Sequence, residues 1–351
     1  MSTDWQALRR AVARRLLRPR AATVTPIIAA EVRHLLLARP NHRLGNVLLL
    51  TPLLQELETL LPQATVDVLA GPPFAAELLQ GYAAIRRVDT LSARPLHQPA
   101  ALWKLWRALP RRGYTLALDA AERSQSARWA VQRSGARWRV GMSDTTDDLH
   151  GLTQAVPYAR CGVHQAQMPV RMLRIALGLS ADAPLPPLRV RLRDDELHTG
   201  AARVTDWLGA PAARAPRIGL FAEATGAKRY PPAFWQALIA ALHAQCPQAR
   251  LGEIVPAHGR PLLPQLPGLH TPALRAAAAV CAACDLVIAA DSGLMHLAAA
   301  SGVPLLGLFQ ATDAARYGPY GARQQALDTR SAGGAEAIAA QALALMRGTA
   351  D

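Results

Sequence analysis

The most informative stretch of the chain is Leu286-Val287-Ile288-Ala289-Ala290-Asp291-Ser292-Gly293-Leu294-Met295-His296, in which an apolar run predicts a buried strand and a helix begins directly after a turn. Backbone N–H groups at the start of a helix have no partner within it, so they suit a phosphate or a diphosphate. Gly293 lets the backbone approach a ligand closely, Ser292 can donate a hydrogen bond, and Asp291 can accept hydrogen bonds from sugar hydroxyls. His296 lies on the same opening turn and faces inward or toward the ligand. The alternative is an ordinary helix N-cap that binds nothing.

Strands and helices alternate along the rest of the chain. In the second half the pattern predicts strands at residues 217–221, 251–255, 286–289 and 304–309, and helices at residues 232–245, 274–283 and 293–300. In the first half it predicts a helix at residues 46–61 and strands at residues 35–38, 65–69, 116–118 and 138–141. This spacing is typical of the parallel βαβ unit. We therefore expect an α/β protein with two Rossmann-like, doubly wound domains that face each other across a cleft, where ligands bind at the carboxyl ends of the strands.

The length of 351 residues fits two α/β domains of roughly 150 residues each. Residues 181–216 contain five prolines around a charged helical stretch, which is the composition of a linker. The expected organisation is a basic amphipathic segment at residues 1–32, a first domain at 33–180, this linker, and a second domain at 217–351.

The formal net charge of +14 is concentrated in the first half of the chain. Residues 1–180 contain 24 Lys and Arg against 12 Asp and Glu, whereas residues 181–351 contain 15 against 13. This asymmetry indicates an anionic partner, such as a phosphorylated glycolipid or an anionic membrane face, unless it only reflects an Arg-rich composition. The pattern of residues 1–20 predicts an amphipathic helix. The alternatives for this helix are that it docks on the inner membrane, packs on its own domain, or frays. Nothing resembles a nucleic-acid-binding module.

Several other classes of protein are excluded by missing motifs. Cys281 and Cys284 form a lone C-x-x-C with no second pair and no histidine at metal spacing, so we expect buried helical thiols and no metal site. Arginines interrupt the apolar core that an N-terminal signal peptide would need, and so few cysteines fit a reducing compartment, which indicates a cytoplasmic protein. No G-x-G-x-x-G or P-loop follows a predicted strand, which argues against a dinucleotide-dependent oxidoreductase.

Two distant segments together resemble glycosyltransferase family 9, the heptosyltransferases of lipopolysaccharide core assembly. Residues 285–304, followed by Leu308-Phe309 and Thr312-Asp313, resemble the family's C-terminal signature, and residues 43–54 resemble its opening turn and helix. The resemblance covers most of residues 34–322 and is weakest in the middle. It implies a GT-B fold with the acceptor on the first domain and the nucleotide sugar on the second, without metal or cofactor. It implies inverting transfer of heptose, with ADP-heptose favoured as donor, to an anionic glycolipid of the cell envelope at the cytoplasmic face of the inner membrane.

The same resemblance assigns the donor-binding residues. Lys228 falls where the family has a lysine after the first strand of its second domain, where it would contact phosphate or ribose, and Thr225 would add a hydroxyl. Glu253 stands near the family's ribose-binding carboxylate. The remaining donor-binding candidates are Asp291, Ser292, Gly293, Leu294, His296, Thr312 and Asp313. Gln310 replaces a residue that is usually glycine or proline in the family.

Asn46 is the main departure from the family, which has an aspartate there as the general base. An amide cannot accept the proton of the acceptor hydroxyl. Either Asn46 orients the acceptor while Asp119, at the end of a predicted strand, acts as the base, or the chain is a catalytically impaired sugar-nucleotide-binding or glycan-binding protein. Asp119 has an alternative role as the N-cap of the next helix. Arg43, Gly45 and Arg123 are the predicted acceptor-binding residues.

Overall fold

The computed structural model describes residues 26–92, 98–144, 151–212, 215–256, 259–271 and 273–348. The amphipathic helix predicted at residues 1–20 lies outside the described residues. The chain divides into two compact units. The first comprises Met1–His42, Leu53–Ala76 and Tyr82–Pro186, and the second comprises Arg43–Pro52, Glu77–Gly81 and Pro187–Asp351.

A parallel sheet of six strands forms the centre of the first unit. The strands are β1 (His34–Arg39), β2 (Thr65–Ala70), β3 (Ile85–Thr90), β4 (Leu116–Asp119), β5 (Trp138–Met142) and β6 (Gln154–Val156). They lie in the order β3-β2-β1-β4-β5-β6. Ala38 pairs with Asp119, so the carboxyl ends of β1 and β4 lie side by side.

A second parallel sheet of six strands forms the centre of the second unit. Its strands are β7 (Arg217–Phe221), β8 (Arg250–Pro256), β9 (Gly268–Thr271), β10 (Leu286–Ala290), β11 (Leu305–Phe309) and β12 (Gln324–Asp328). They lie in the order β12-β11-β10-β7-β8-β9, so β10 is flanked by β11 and β7. All five residues of β10 are 0% exposed, as expected for a central strand covered on both faces. The two sheets confirm the predicted α/β class with two Rossmann-like domains.

Helices alternate with these strands. Those before residue 187 are α1 (Leu44–Leu48), α2 (Thr51–Leu60), α3 (Ala75–Leu78), α4 (Pro99–Ala108), α5 (Gln125–Arg133), α6 (Tyr158–Cys161) and α7 (Gln167–Ala176). Those after it are α8 (Asp194–Leu208), α9 (Pro232–Gln245), α10 (Leu274–Ala282), α11 (Gly293–Ser301), α12 (Ala314–Tyr317) and α13 (Ala335–Arg347).

The predicted helix at residues 46–61 is in fact two helices, α1 and α2, and Pro52 explains the break. Proline has no N–H, so the carbonyl of Leu48, four residues earlier, cannot receive its helical hydrogen bond. The hydroxyl of Thr51 donates to this carbonyl instead, at 2.7 Å. The prediction of one continuous helix was therefore wrong at Leu49 and Leu50.

The predicted linker contains a packed helix. Helix α8 lies against α10, and Arg275 of α10 makes a two-pronged ion pair with Glu196 of α8, with the two N–O distances at 2.7 and 2.5 Å. Residues 187–212 group with the second unit, and the domain boundary at residues 181–216 stays a prediction.

A buried ion pair joins α2 and α7 in the first unit. The Nε and Nη2 atoms of Arg174 lie 2.5 and 3.1 Å from the two carboxylate oxygens of Glu56, and both side chains are only 8% exposed. Arg174 also donates to the carbonyls of Ala183 and Pro184. One guanidinium therefore holds together two helices and the segment that leaves the first unit.

Glu56→Ala is expected to lower the free energy of unfolding by about 3 kcal/mol, because it leaves a buried guanidinium without its counterion. Urea unfolding followed by circular dichroism measures the change. The control is Glu31→Ala, which removes an exposed ion pair with Arg137 and should cost less than about 1 kcal/mol. Equal losses in the two variants would contradict the stabilising role of the buried pair.

Candidate functional site

Three neighbouring strands of the second sheet end at one edge, and each is followed by predicted site residues. β7 leads into the segment from Glu223 to Lys228, β10 leads into Asp291, and β11 leads into the segment from Gln310 to Thr312. Because the carboxyl ends of parallel strands meet at one edge, these segments converge although they are far apart in sequence.

Asp291 is the centre of this convergence. Its side chain is almost fully buried, and Nζ of Lys228 lies 2.7 Å from its Oδ2. The hydroxyl of Thr312 donates a short hydrogen bond to the same oxygen. Such partners offset the free energy that burial of a carboxylate away from water costs. The structure therefore brings together three of the predicted donor-binding residues.

Helix α11 begins next to this carboxylate without a side-chain cap. Ser292 occupies the N-cap position with an extended backbone, but its side chain does not cap the helix, and the first turn has no acidic residue. The Oγ of Ser292 is buried and has no hydrogen-bond partner among the described residues. The uncapped N–H groups and this hydroxyl form a place where an anion would be stabilised.

The loop that carries Lys228 is held in place by Gln310. The side-chain amide of Gln310 donates to the carbonyls of Ala227 and Arg229, at 3.0 and 2.8 Å, on either side of the lysine. Gly226 adopts a φ of +60°, and Thr225, just before it, is exposed. Gln310 is thus a positioning residue for Lys228.

Helix α1, which carries Asn46, packs closely on α11 within the second unit. A Cβ atom added to Gly45 would lie 2.6 Å from Cδ2 of His296, and one added to Gly293 would lie 2.8 Å from Cβ of Leu44. In each helix, a glycine therefore leaves room for a side chain of the other helix. Asn46 is half-buried in this arrangement, and its N–H donates to the carbonyl of the exposed Arg43. Leu294 is buried in the same opening turn of α11.

Two predicted donor-binding carboxylates instead bind the backbone of their own unit. Glu253 is 2% exposed, and its oxygens accept the N–H groups of Leu262 and Leu263 at 2.9 Å. Asp313 caps α12 by accepting the N–H of Ala315 at 2.9 Å. Their predicted contacts with a donor stay predictions.

Glu223 was missed by the sequence analysis. It follows β7 at the edge where the site residues converge, and its Oε2 is buried and accepts no hydrogen bond from the described residues. A Cβ atom on Gly259 would lie 2.9 Å from this oxygen. The available signal was its position two residues beyond the end of β7, before the loop that carries Lys228.

Asp119 is a buried ion-pair partner in the first unit. It is 1% exposed, its Oδ2 lies 2.9 Å from Nε of Arg128, and its Oδ1 accepts the N–H of Ala121. Burial raises the pKa of Asp119 to about 6, although Arg128 opposes this shift. The alternative role as a helix cap was wrong, because Ser124 caps α5.

Arg123 has an uncommon backbone conformation, since its φ is +51° without its being glycine. Its N–H donates to the hydroxyl of Tyr158 at 3.2 Å, and its guanidinium lies 5.5 Å from the centroid of that ring. Such backbone conformations persist where the surroundings enforce them, often at functional sites.

The thiols of Cys281 and Cys284 are buried, as predicted, but only Cys281 is helical, because α10 ends at Ala282 and Cys284 lies in the bend after it. Burial raises the pKa of Cys284 to about 12 and that of Cys281 well above its ordinary value, so both stay protonated. Across the described ranges, no group of three or more His, Cys, Asp or Glu side chains is arranged to hold a metal ion. None of the described helices is long and apolar enough to cross a membrane.

Gly45→Ala is expected to destabilise the protein by about 1–3 kcal/mol, because the new methyl group would overlap the ring of His296. His296→Ala removes the obstacle, so the double variant should be more stable than the sum of the single losses predicts. Urea unfolding of all four proteins in the cycle measures this coupling. Strictly additive losses would show that the two residues are not in contact.

Comparisons with known proteins place this architecture in a family. The family model "Glycosyltransferase family 9 (heptosyltransferase)" matches residues 102–337, which is more than half of the chain. A search of curated proteins found no match. Among solved structures, a family 9 glycosyltransferase from Veillonella parvula matches with 18% identity and a TM-score of 0.71, over 89% of this chain and 88% of that one.

Two E. coli structures share the fold over nearly their whole length. ADP-heptose lipopolysaccharide heptosyltransferase II matches with 18% identity and a TM-score of 0.66, and heptosyltransferase WaaC with ADP matches with 20% identity and a TM-score of 0.65. Each match covers 90% of this chain and 98% of the other. These identities support the GT-B fold but not a shared substrate. With the family match, they lead to the conclusion that the chain belongs to glycosyltransferase family 9, the heptosyltransferase family.

Proposed function

We propose that the chain transfers heptose from a nucleoside-diphosphate donor, with ADP-heptose favoured, to an anionic glycolipid of the cell envelope. The observation that carries the proposal is the uncapped start of α11, where the buried hydroxyl of Ser292 lies next to the ion pair of Asp291 and Lys228. It is supported by the E. coli relatives, one of which was solved with ADP. The protein would act in the cytoplasm, at the face of the inner membrane.

The donor diphosphate is proposed to bind the N–H groups of Gly293 and Leu294 and the hydroxyl of Ser292, with Lys228 as the cation. Lys228 would then be shared between phosphate and Asp291, which could accept a hydrogen bond from a sugar hydroxyl. The hydroxyl groups of Thr225 and Thr312 would make further contacts with the donor, and His296 would hold the opening turn of α11 in place. Glu223 is a better acceptor for ribose hydroxyls than Glu253, whose oxygens already accept two N–H groups.

The chemistry is proposed to be a direct displacement with inversion and without a metal ion. The acceptor oxygen forms a bond to the anomeric carbon while the bond from that carbon to the diphosphate oxygen breaks, and the hydroxyl proton passes to a base. Negative charge develops on the departing diphosphate, where Lys228 and the positive end of the α11 dipole would stabilise it. Arg43 and Arg123 would bind anionic groups of the acceptor.

Asp119 is the proposed base, because a pKa near 6 suits proton transfer at neutral pH. Asn46 would orient the acceptor hydroxyl by hydrogen bonding.

A second candidate function is sugar-nucleotide binding without turnover. Asn46 cannot act as a base, and the burial of Asp119 and its ion pair with Arg128 fit a structural role.

Donor binding is expected to depend on Lys228 and on its positioning by Gln310. Lys228→Ala should weaken ADP binding in calorimetry by about 10- to 100-fold, the range for charge-assisted hydrogen bonds, and Gln310→Ala by roughly fivefold. Neither variant should change the affinity for adenosine, which has no phosphate. A matched control is Gln245→Ala, which removes a comparable amide-to-carbonyl hydrogen bond to Glu336 and should bind ADP normally. Equal losses for adenosine and ADP would contradict the phosphate contact.

The pH profile of sugar transfer distinguishes the two candidate functions. If Asp119 is the base, kcat/KM should rise as the pH increases through about 6, because only the ionised carboxylate accepts a proton. Asp119→Asn should then lose about 100-fold or more in turnover while ADP still binds. A wild type that binds ADP without transfer, and gains turnover through Asn46→Asp, would instead establish the binding protein. Full activity of Asp119→Asn would exclude Asp119 as the base.

A further inference from the structure

Helix α4 of the first unit presents two exposed tryptophans. Its Leu102 and Leu105 pack against the core, whereas Trp103 is 60% exposed and Trp106 is 39% exposed. Elsewhere in the described ranges, no other helix carries two exposed large apolar side chains. Exposed tryptophans that adjoin one another are unusual unless they form an interaction site.

Basic side chains surround these rings. The guanidinium of Arg107 lies 4.6 Å from the ring centroid of Trp103, and that of Arg133 lies 4.9 Å from that of Trp106. Lys104 is exposed on the same helix. We call this surface the tryptophan face, and its residues are Trp103, Lys104, Trp106, Arg107, Arg111 and Arg133.

The tryptophan face carries four positively charged side chains. Within the part of the chain that the structure describes, no carboxylate forms an ion pair with its four basic residues. Other arginines of the same unit do have such partners, since Arg112 pairs with Asp89, Arg128 with Asp119 and Arg137 with Glu31. This cluster of cations favours an anionic partner.

Tryptophan and arginine together fit the interface of a bilayer. An indole ring is apolar with one polar N–H, so it is stable at the level of lipid headgroups, and arginine and lysine extend their charges to anionic phosphates while their stems stay in apolar surroundings. We propose that the tryptophan face docks on a bilayer that contains anionic phospholipids. The small hollow lined by Pro99, Leu102, Trp103 and Trp106, about 290 Å³ in volume, would be filled by acyl chains near the headgroups.

This inference deepens the proposed function, on which it rests for its biological setting, by naming the surface that makes the peripheral membrane contact. It is tested without donor, acceptor or turnover. A protein that binds vesicles but transfers no sugar would refute the proposed function and support this inference. A protein that transfers sugar but does not bind vesicles would refute this inference and support the proposed function.

The experiment measures flotation of the full chain with vesicles of phosphatidylcholine alone, or with about 30% phosphatidylglycerol. We expect binding only to the anionic vesicles. Arg107→Glu changes the charge by two, and each basic residue at an anionic surface contributes roughly fivefold, so its partition constant should fall about 30-fold. Trp103→Ala should also weaken binding, whereas Trp103→Phe should keep binding but lose part of the fluorescence quenching by brominated lipids.

Matched controls separate the tryptophan face from net charge and from general apolarity. Arg33→Glu makes the same charge change at an exposed residue outside the face, and Leu179→Ala removes a similarly exposed apolar side chain, 46% exposed. Both should bind like the wild type. Vesicle binding by Arg107→Glu and Trp103→Ala at the wild-type level would overturn the proposal. If the wild type does not bind vesicles but self-associates, and Trp103→Ala abolishes this self-association, the tryptophan face is a contact between copies of the chain and not a membrane contact.

Discussion

The ion pair between Asp291 and Lys228 is the interaction on which the arrangement of the second unit's strand ends depends. Asp291 follows a fully buried strand, and burying a carboxylate there costs free energy unless a cation pairs with it. That cation comes from the loop after β7, and Thr312, after β11, binds the same oxygen. One carboxylate thus ties together the segments that follow three adjacent strands. Next to this carboxylate, α11 begins at Ser292 without a side-chain cap.

Much of this arrangement could be predicted from local sequence. The apolar run of β10, the Asp-Ser-Gly turn and the helix after it are encoded by neighbouring residues, and the structure has them where the pattern placed them. The break at Pro52 was also readable, because a proline inside a helix always deprives an earlier carbonyl of its partner. The apolar periodicity continues through Pro52, and for this reason the pattern predicts one helix.

The contacts that were not predicted join residues far apart in sequence. Gln310 holds the backbone on both sides of Lys228 across 81 and 83 residues, and no periodicity or motif reports such a contact. Glu253 makes another contact that was not predicted, because it lies within β8 and accepts the N–H groups of Leu262 and Leu263 from the segment after that strand. Its predicted contact with a donor stays a prediction. Side-chain direction at strand ends depends on loop conformation, which sequence patterns describe poorly. The same reason explains why Glu223 was overlooked.

The basic residues of the first half include some that pair with buried carboxylates and some that lie on the tryptophan face. Arg86 and Arg112 lie beside the buried Asp67. Burial alone would raise the pKa of Asp67, but hydrogen bonds with Arg86, Tyr114 and His34 together lower it. Arg112, at 12% exposed, is part of the internal framework, whereas Arg86 remains half exposed while it pairs with Asp67. Three of the four cations of the tryptophan face are exposed to a partner. Net charge alone therefore overestimates the attraction of the first half for an anionic surface, but its sign agrees with the proposed anionic partner.

The close approach of Gly45 to His296 has an entropic consequence. With the backbone of α1 against its Cδ2 edge and with only 5% of its surface exposed, the imidazole has little room to change rotamer. The freedom of this side chain is therefore lost when the protein folds, not when a ligand arrives. At the proposed donor site, an imidazole that is already immobile would lower the entropic penalty of ligand binding, and a side chain at residue 45 would disturb this arrangement.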